Sequence, residues 1–262
     1  MTLQARLYRN NLTALERIAR IRPSSTTNRT NRWLMIAAGV AEVPAFNVAV
    51  PLANALVGDD AAAVIGWYDR RSLPYRVRLR AEQDGDALER LVGLGFEPER
   101  TETAYVLEQF PSGTTQPEGL SVRTVTGEQN LRRYGALGWE QVGLADVGVA
   151  IARTARELGF ELILGLSGDY PVACSMAVVT DDVVGVYNVA VLPEYRRRGF
   201  GSRMVEAALA AGSSRGARLA YLSAPEQAAS LYSRLGFRPV SQYCSGKFRG
   251  PNARRPGPSE SC

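Results

Sequence analysis

Arg196-Arg197-Arg198-Gly199-Phe200-Gly201 joins three positive charges to two glycines spaced i, i+2. The six residues follow an apolar, β-branched run at 183–191 and precede a stretch with helical apolar spacing. A strand that ends in a glycine turn and opens a helix makes an anion site. The first helical turn leaves N–H groups without intrahelical partners, and the helix dipole favours negative charge there. Gly199 and Gly201 let the backbone approach a phosphate where a Cβ would intervene. The chemistry on offer is capture of a phosphate-bearing ligand. By themselves these residues leave a second reading open, a tight strand-to-helix turn with no ligand.

The elements that must hold this turn can be read around it. Residues 120–125 pattern as a strand, and Glu128 onward as a helix carrying Leu131, Tyr134 and Leu137. A second helix follows from Ala145 to Leu158, then a strand over 160–166 and a turn at 167–171. Runs at 172–180 and 183–191 stand at hairpin distance with Asp181-Asp182 at the bend. A helix from about Gly199 to Ala211, a strand over 218–223, a helix to Leu235 and strands through Phe248 complete this half. Ser223 and Glu226 have capping-box spacing, and Pro225 suits a first helical turn.

An internal repeat runs through the chain. Phe46-Asn47-Val48-Ala49-Val50 matches Tyr187-Asn188-Val189-Ala190-Val191, and Leu94-Gly95-Phe96 matches Leu235-Gly236-Phe237, both at an offset of 141 residues. Under that offset the arginine–glycine turn becomes 55–60, with Asp59 and Asp60 where an anion would sit, and Tyr232 becomes Leu91. Two carboxylates repel a phosphate. The first copy keeps the apolar pattern and loses the chemistry. The expected organisation is a degenerate unit at 1–110, a linker at 111–119, the chemically equipped unit at 120–248 and a tail of disordered composition at 249–262.

Composition narrows the chemistry. The chain of 262 residues has no histidine, which excludes imidazole catalysis, a Ser-His-Asp triad and most zinc sites. Its three cysteines, Cys174, Cys244 and Cys262, are scattered and odd in number, which suits a reducing compartment. The net charge of +5 is concentrated at the ends: residues 1–34 hold seven arginines against Glu16. No aromatic-interleaved basic stripe accompanies them, which argues against nucleic acid as a partner. No signal peptide is visible, and 33–57 is broken by Glu42, Pro44, Asn47, Pro51 and Asn54, so it reads as a buried helix plus strand rather than a membrane span. A cytoplasmic protein is expected.

The turn of Arg196, Gly199 and Gly201, followed at this spacing by Ala229-Ser230-Leu231-Tyr232-Ser233-Arg234-Leu235-Gly236-Phe237, resembles the GCN5-related N-acetyltransferase (GNAT) superfamily over 120–248. The first half looks like the degenerate copy carried by tandem members. The resemblance implies an α/β (α+β) fold: a mixed, mostly antiparallel central sheet with helices on both faces, in two GNAT-like domains in tandem. It implies acetyl-CoA as co-substrate, with no metal. The pantetheine arm would pair with main-chain groups of Val189 and Val191, with Ala190 between them. Arg196, Arg197, Arg198, Gly199, Phe200, Gly201 and Ser202 would form the turn that holds the pyrophosphate. Tyr232 would act as general acid toward the departing thiolate, as a phenol can for so good a leaving group. The general base has no clear position; Glu140 or a water chain could serve.

The implied reaction is direct transfer of acetyl to a primary amine, either a small molecule or a protein N-terminus. A non-catalytic acyl-CoA-binding sensor is the alternative. Members of the superfamily often place an asparagine near the start of the tyrosine-bearing helix; Ser223-Ala224-Pro225-Glu226 stands there instead. The acceptor pocket would draw on 139–144.

Overall fold

Val183–Val191 folds back antiparallel on Tyr170–Thr180 across the Asp181-Asp182 bend, as the two β-branched runs predict. This hairpin sits inside one mixed sheet of 11 strands. The computed structural model describes residues 1–20, 24–38, 46–52, 58–111, 116–140 and 145–248. In chain order these form α1 (Leu3–Ile18), β1 (Thr26–Arg29), β2 (Trp33–Ala37), β3 (Asn47–Pro51), α2 (Gly58–Asp69), β4 (Arg76–Arg80), α3 (Gly85–Gly93) and β5 (Phe96–Leu107). There follow β6 (Ser121–Thr124), α4 (Gly127–Glu140), α5 (Ala145–Glu157), β7 (Glu161–Ser167), β8 (Tyr170–Thr180), β9 (Val183–Val191), α6 (Phe200–Ser213), β10 (Leu219–Ala224), α7 (Ala229–Arg234) and β11 (Arg238–Phe248). The described part of 33–57 is therefore two strands, β2 and β3, buried at every position, and not a helix plus strand: a short continuous apolar run suits a fully buried strand as well as a buried helix, and sheet pairing decides between them. The tail beyond 248 lies outside the described residues.

The strand order is β1-β2-β3-β4-β11-β5-β10-β9-β8-β7-β6. All pairs are antiparallel except β3 with β4 and β10 with β9. The offset of 141 residues carries β3, β4 and β5 onto β9, β10 and β11, and α2 and α3 onto α6 and α7. The last strand of each set crosses over. β11 lies between β4 and β5, and β5 lies between β11 and β10. Tyr243 and Glu102, equivalent under the offset, are direct cross-strand partners. The repeated Leu-Gly-Phe triplet has a local cause. Gly95 (φ 92°) and Gly236 (φ 86°) end α3 and α7 in the left-handed region, and Phe96 and Phe237 then drop into the core.

One face of the sheet carries α6 and α7 over Val184, Val186, Ala220, Leu222 and Ala224, and α2 and α3 over Val77, Leu79 and Cys244. The other face carries α4 and α5 over β7 and β8, and α1 over Ala104, Val106, Val183, Leu219, Tyr221 and Tyr243. The N-terminal helix thus docks on strands from both halves of the chain. Asn10, fully buried, donates to the carbonyls of Val178 and Val183 at 3.2 and 3.0 Å, and its Oδ1 accepts from the Tyr187 hydroxyl at 2.9 Å. Gly185 makes this possible, since a Cβ there would stand 2.2 Å from Asn10 Oδ1. Arg6 and Arg9 of α1 pair with Asp182 and Asp181 at the hairpin bend. Among the described residues no helix is long and apolar enough to cross a membrane.

Candidate active site

β9 and β10 run parallel for three paired positions only, the last being Gly185 with Tyr221. Beyond it they part. β10 continues to Ala224 on β5, whereas β9 is bent by a bulge. Cys174 faces Ala190 and Met176 faces Tyr187, so β9 has one extra residue there. Asn188 takes the strain at φ 50°, a conformation that asparagine tolerates better than most residues. Its amide donates to the Tyr134 hydroxyl at 3.2 Å, and Cys174 Sγ donates to its carbonyl at 3.5 Å. Burial pushes the Cys174 thiol up to about 12, so it acts here as a protonated donor and not as a nucleophile.

The bulge turns main-chain groups into the gap. Leu192 N–H bonds Val172 across the strand pair at 2.9 Å, so by alternation Val191 directs its own N–H and C=O away from β8. Its carbonyl accepts from Arg196 Nε at 3.1 Å, which leaves Val189 and the Val191 N–H for any chain laid in the gap. The first half differs here. Val48 and Ala49, the counterparts of Val189 and Ala190, are paired with Arg76 and Val77 of β4. At these two positions β3 is paired with β4, whereas β9 has already left β10.

After a 3₁₀ turn at Pro193–Tyr195 the chain enters the arginine–glycine turn, with Arg197 at φ 62° and Gly199 at φ 81°. Gly199 caps α6, and the first helical bond runs from Arg203 N–H to its carbonyl. The N–H groups of Phe200, Gly201 and Ser202 precede that bond and point out of the helix start. Glycine at 199 is required by φ. A Cβ at Gly201 would stand 3.5 Å from Leu231 and 3.9 Å from Val191, occupying the space between them.

That space is a cavity of about 680 Å³ lined by Val189, Ala190, Val191, Arg196, Arg197, Gly199, Gly201 and Ser202 on one side, and by 225–234 on the other. Two of the expected site residues contribute differently. The Phe200 side chain is 1% exposed in the core, so only its main chain faces the turn. The Arg198 guanidinium lies over the Phe200 and Tyr195 rings, 4.9 and 5.5 Å from their centroids, and its side chain is not among those lining the cavity. Gln227, in the 3₁₀ turn before α7, and Ser230, Leu231 and Arg234 of α7 also line the cavity and were not singled out from the sequence, although 227, 230, 231 and 234 share one face by their three- and four-residue spacing.

Tyr232 sits on α7 with its ring 5.7 Å from Tyr105 and 6.0 Å from Phe237. Its hydroxyl has no hydrogen-bond partner among the described residues, and the side chain lines the cavity. Burial first, and then the neighbouring Tyr105, push this phenol up to about 12. It therefore stays protonated at neutral pH and is a donor in the gap. Ser223 and Glu226 do not form a capping box. Ser223 belongs to β10, and Ala228 caps α7 without a side-chain bond. Tertiary partners on β4 and β5 take the serine hydroxyl instead. Glu140 closes α4, and its side chain, with 141–144, lies outside the described residues, as do residues 55–57.

Residues 11–243 match the family model described as "Probable histone acetyltransferase Rv0428c C-terminal". No curated protein sequence matches the chain. Among solved structures, a GCN5-related N-acetyltransferase from Kribbella flavida superposes with a TM-score of 0.74 at 19% identity, covering 95% of this chain and 97% of the other. A GCN5-related N-acetyltransferase from Sphaerobacter thermophilus gives 0.58 at 18% identity, over 84% and 81%. A tandem GNAT protein from the clavulanic acid biosynthesis pathway gives 0.61 at 13% identity, over 92% and 89%. At these identities the structural likeness establishes the fold.

Proposed function

The chain belongs to the Rv0428c C-terminal acetyltransferase family within the GNAT superfamily, and we propose that it transfers acetyl from acetyl-CoA to a primary amine by direct attack on the thioester. One observation carries this reading. The gap between β9 and β10 opens into a cavity whose one wall is the phosphate-type turn and whose other wall presents Tyr232. Val189 and Val191 supply strand-like main-chain bonds to a pantetheine arm. The N–H groups at Gly199, Gly201 and Ser202, with Arg196 and Arg197 beside them, supply donors and charge for a pyrophosphate.

In the reaction the neutral amine attacks the carbonyl carbon, the C–N bond forms and the C–S bond breaks. Tyr232 donates a hydrogen bond to the departing sulfur, and the proton that the nitrogen loses ends on that sulfur, so that the products are the amide and the free thiol. Because the phenol is the weaker acid, its part is stabilisation of the leaving thiolate in the transition state and not free release of a proton. We read residues 1–110 and 120–248 as two units joined through 111–119, with one working cofactor site, because Val48 and Ala49, the counterparts of Val189 and Ala190, are paired with β4.

Titration of acetyl-CoA into the wild-type protein and the Gly199→Glu variant tests the site, with thiol release over a panel of amines testing the activity. Binding of one equivalent, lost in the variant, and amine-dependent thiol release are expected. No binding by the wild-type protein overturns the reading.

A further inference from the structure

Ser223 lies two residues past the last β9–β10 pair and two before Pro225, which lines the cavity. Leu222 and Ala224 point into the core under α6 and α7, so Ser223 points to the opposite face of the gap. There it meets residues of the first half. Ser223 Oγ donates to Glu102 Oε2 of β5 at 3.1 Å, and Arg78 Nη2 of β4 donates to Ser223 Oγ at 2.8 Å and to Glu102 Oε2 at 3.0 Å. Arg100 Nη2 stands 3.0 Å from Glu102 Oε1. The Arg78 guanidinium rests on the Tyr243 ring at 3.9 Å. The Arg78 and Glu102 side chains are only 13% and 18% exposed.

A serine hydroxyl has one donor and two acceptor positions. Here the donor is committed to a carboxylate and one acceptor position to a guanidinium. The other acceptor position is uncommitted and can take an N–H of an incoming amine, two residues before Pro225, which lines the cavity. Arg78 and Arg100 hold the carboxylate in place for this hydroxyl. Tyr187 of β9 and Tyr221 of β10 face the same cluster, and burial raises both phenols, so they stay neutral at ordinary pH.

We infer that Ser223 receives the acceptor amine and that Glu102, donated by the first half through the crossed strand β5, takes the amine's proton through the Ser223 hydroxyl. The inference rests on the acetyl-transfer reading. The ammonium passes a proton to Ser223 Oγ while the Ser223 proton passes to Glu102. The neutral nitrogen then attacks, and the C–S bond breaks. The second nitrogen proton goes to the thiolate by way of Tyr232. Glu102 returns its proton to solvent when product leaves. Ser223 touches the substrate; Glu102 acts through it as a positioning carboxylate. The first half thereby completes the site of the second.

The test compares n-butylamine, an ammonium at pH 7, with O-methylhydroxylamine, which is already neutral there. Rates are measured from pH 7 to 10 with the uncatalysed reaction subtracted. Glu102→Gln should lower kcat/KM for butylamine by roughly 30-fold or more at pH 7. The defect should shrink toward pH 10 as the free amine accumulates and should be at least several-fold smaller for methoxyamine at pH 7, with acetyl-CoA affinity unchanged. Ser223→Ala should behave alike, and Ser223→Thr, which keeps a hydroxyl, should recover most of the rate. A defect equal at every pH and for both amines means a structural role and overturns the inference. So does wild-type behaviour of both variants. A wild-type protein that releases thiol with neither amine defeats the acetyl-transfer reading, and this inference falls with it.

Discussion

Tyr232 combines a buried ring with a place in the cavity lining, and its hydroxyl has no hydrogen-bond partner among the described residues, which leaves it available to a ligand. Tyr232→Phe should lower kcat by roughly 10- to 1000-fold with acetyl-CoA affinity little changed, measured by steady-state thiol release beside calorimetric titration. The same phenol links stability to pH. It titrates near 10 in the unfolded chain and near 12 in the folded protein. The stabilisation is therefore fully present below pH 10 and is lost as pH rises through 12, by about 2.7 kcal/mol at most for two pKa units. Denaturation midpoints of the wild-type protein should fall over that window, and those of Tyr232→Phe should fall less. A slope identical in both proteins would remove Tyr232 from the account. The two glycines of the turn differ in what they tolerate. Gly201→Ala fits the empty protein at 3.5 Å from Leu231 and should leave the melting temperature unchanged while weakening acetyl-CoA binding. Gly199 at φ 81° has no such freedom.

At the scale of elements, the site depends on one strand pair that parts and one helix that holds the turn in place. α6 crosses β9 so closely that a Cβ on Gly212 would stand 2.4 Å from Val184. Gly212→Ala should therefore destabilise by roughly 1–3 kcal/mol and lower the melting temperature, in contrast to Gly201→Ala on the same helix. The bulge at Asn188 is a device of the same kind. Asn188→Val, β-branched at a left-handed position and without the bond to Tyr134, should weaken acetyl-CoA binding at least roughly tenfold, because one misplaced strand carries both main-chain contacts. Titration of that variant, with circular dichroism as a control for folding, checks it. Intact binding would mean that the bulge survives without its asparagine. The first half supplies the comparison: β3 has the same Asn-Val-Ala-Val tetrapeptide, yet Asn47 accepts from Ala38 N–H and donates to Pro74, and the strand stays paired with β4. Gly58→Glu should accordingly leave acetyl-CoA binding intact.

For the whole molecule the crossed strands set the cooperative unit. A chain of residues 120–248 would lack β5, leaving β10 and β11 with bare edges where β5 pairs with both. Unpaired strand edges with apolar faces associate. Such a fragment should be aggregated or self-associated, and adding residues 1–110 in trans should restore a soluble complex, as sizing chromatography and circular dichroism would reveal. A soluble, folded monomeric fragment would show that the second half carries its own core without β5. The docking of α1 on the β8–β9 hairpin ties the chain's start to the same unit. Arginines that make the N-terminus look like a basic arm are partly spent on Asp181, Asp182 and Glu16.

Residues 183–201 disclosed a strand, a turn and a helix start in the sequence because each is a local preference: β-branched alternation, glycine at positive φ and the onset of helical spacing. The Leu-Gly-Phe repeats were legible for the same reason, each being a helix end followed by a core phenylalanine. Helix boundaries over 127–157 also followed from periodicity. The capping box at Ser223 failed because a hydroxyl bonds whatever the fold brings nearest, and β4 and β5 bring Arg78 and Glu102. The parting of β9 from β10, the pairing of β3 with β4 and the crossing of β5 with β11 depend on strand register between segments up to more than a hundred residues apart, which no local pattern encodes. The sequence alone determined the turn that could hold a phosphate; only the tertiary structure decided where the parallel strands part and which distant carboxylate bonds Ser223.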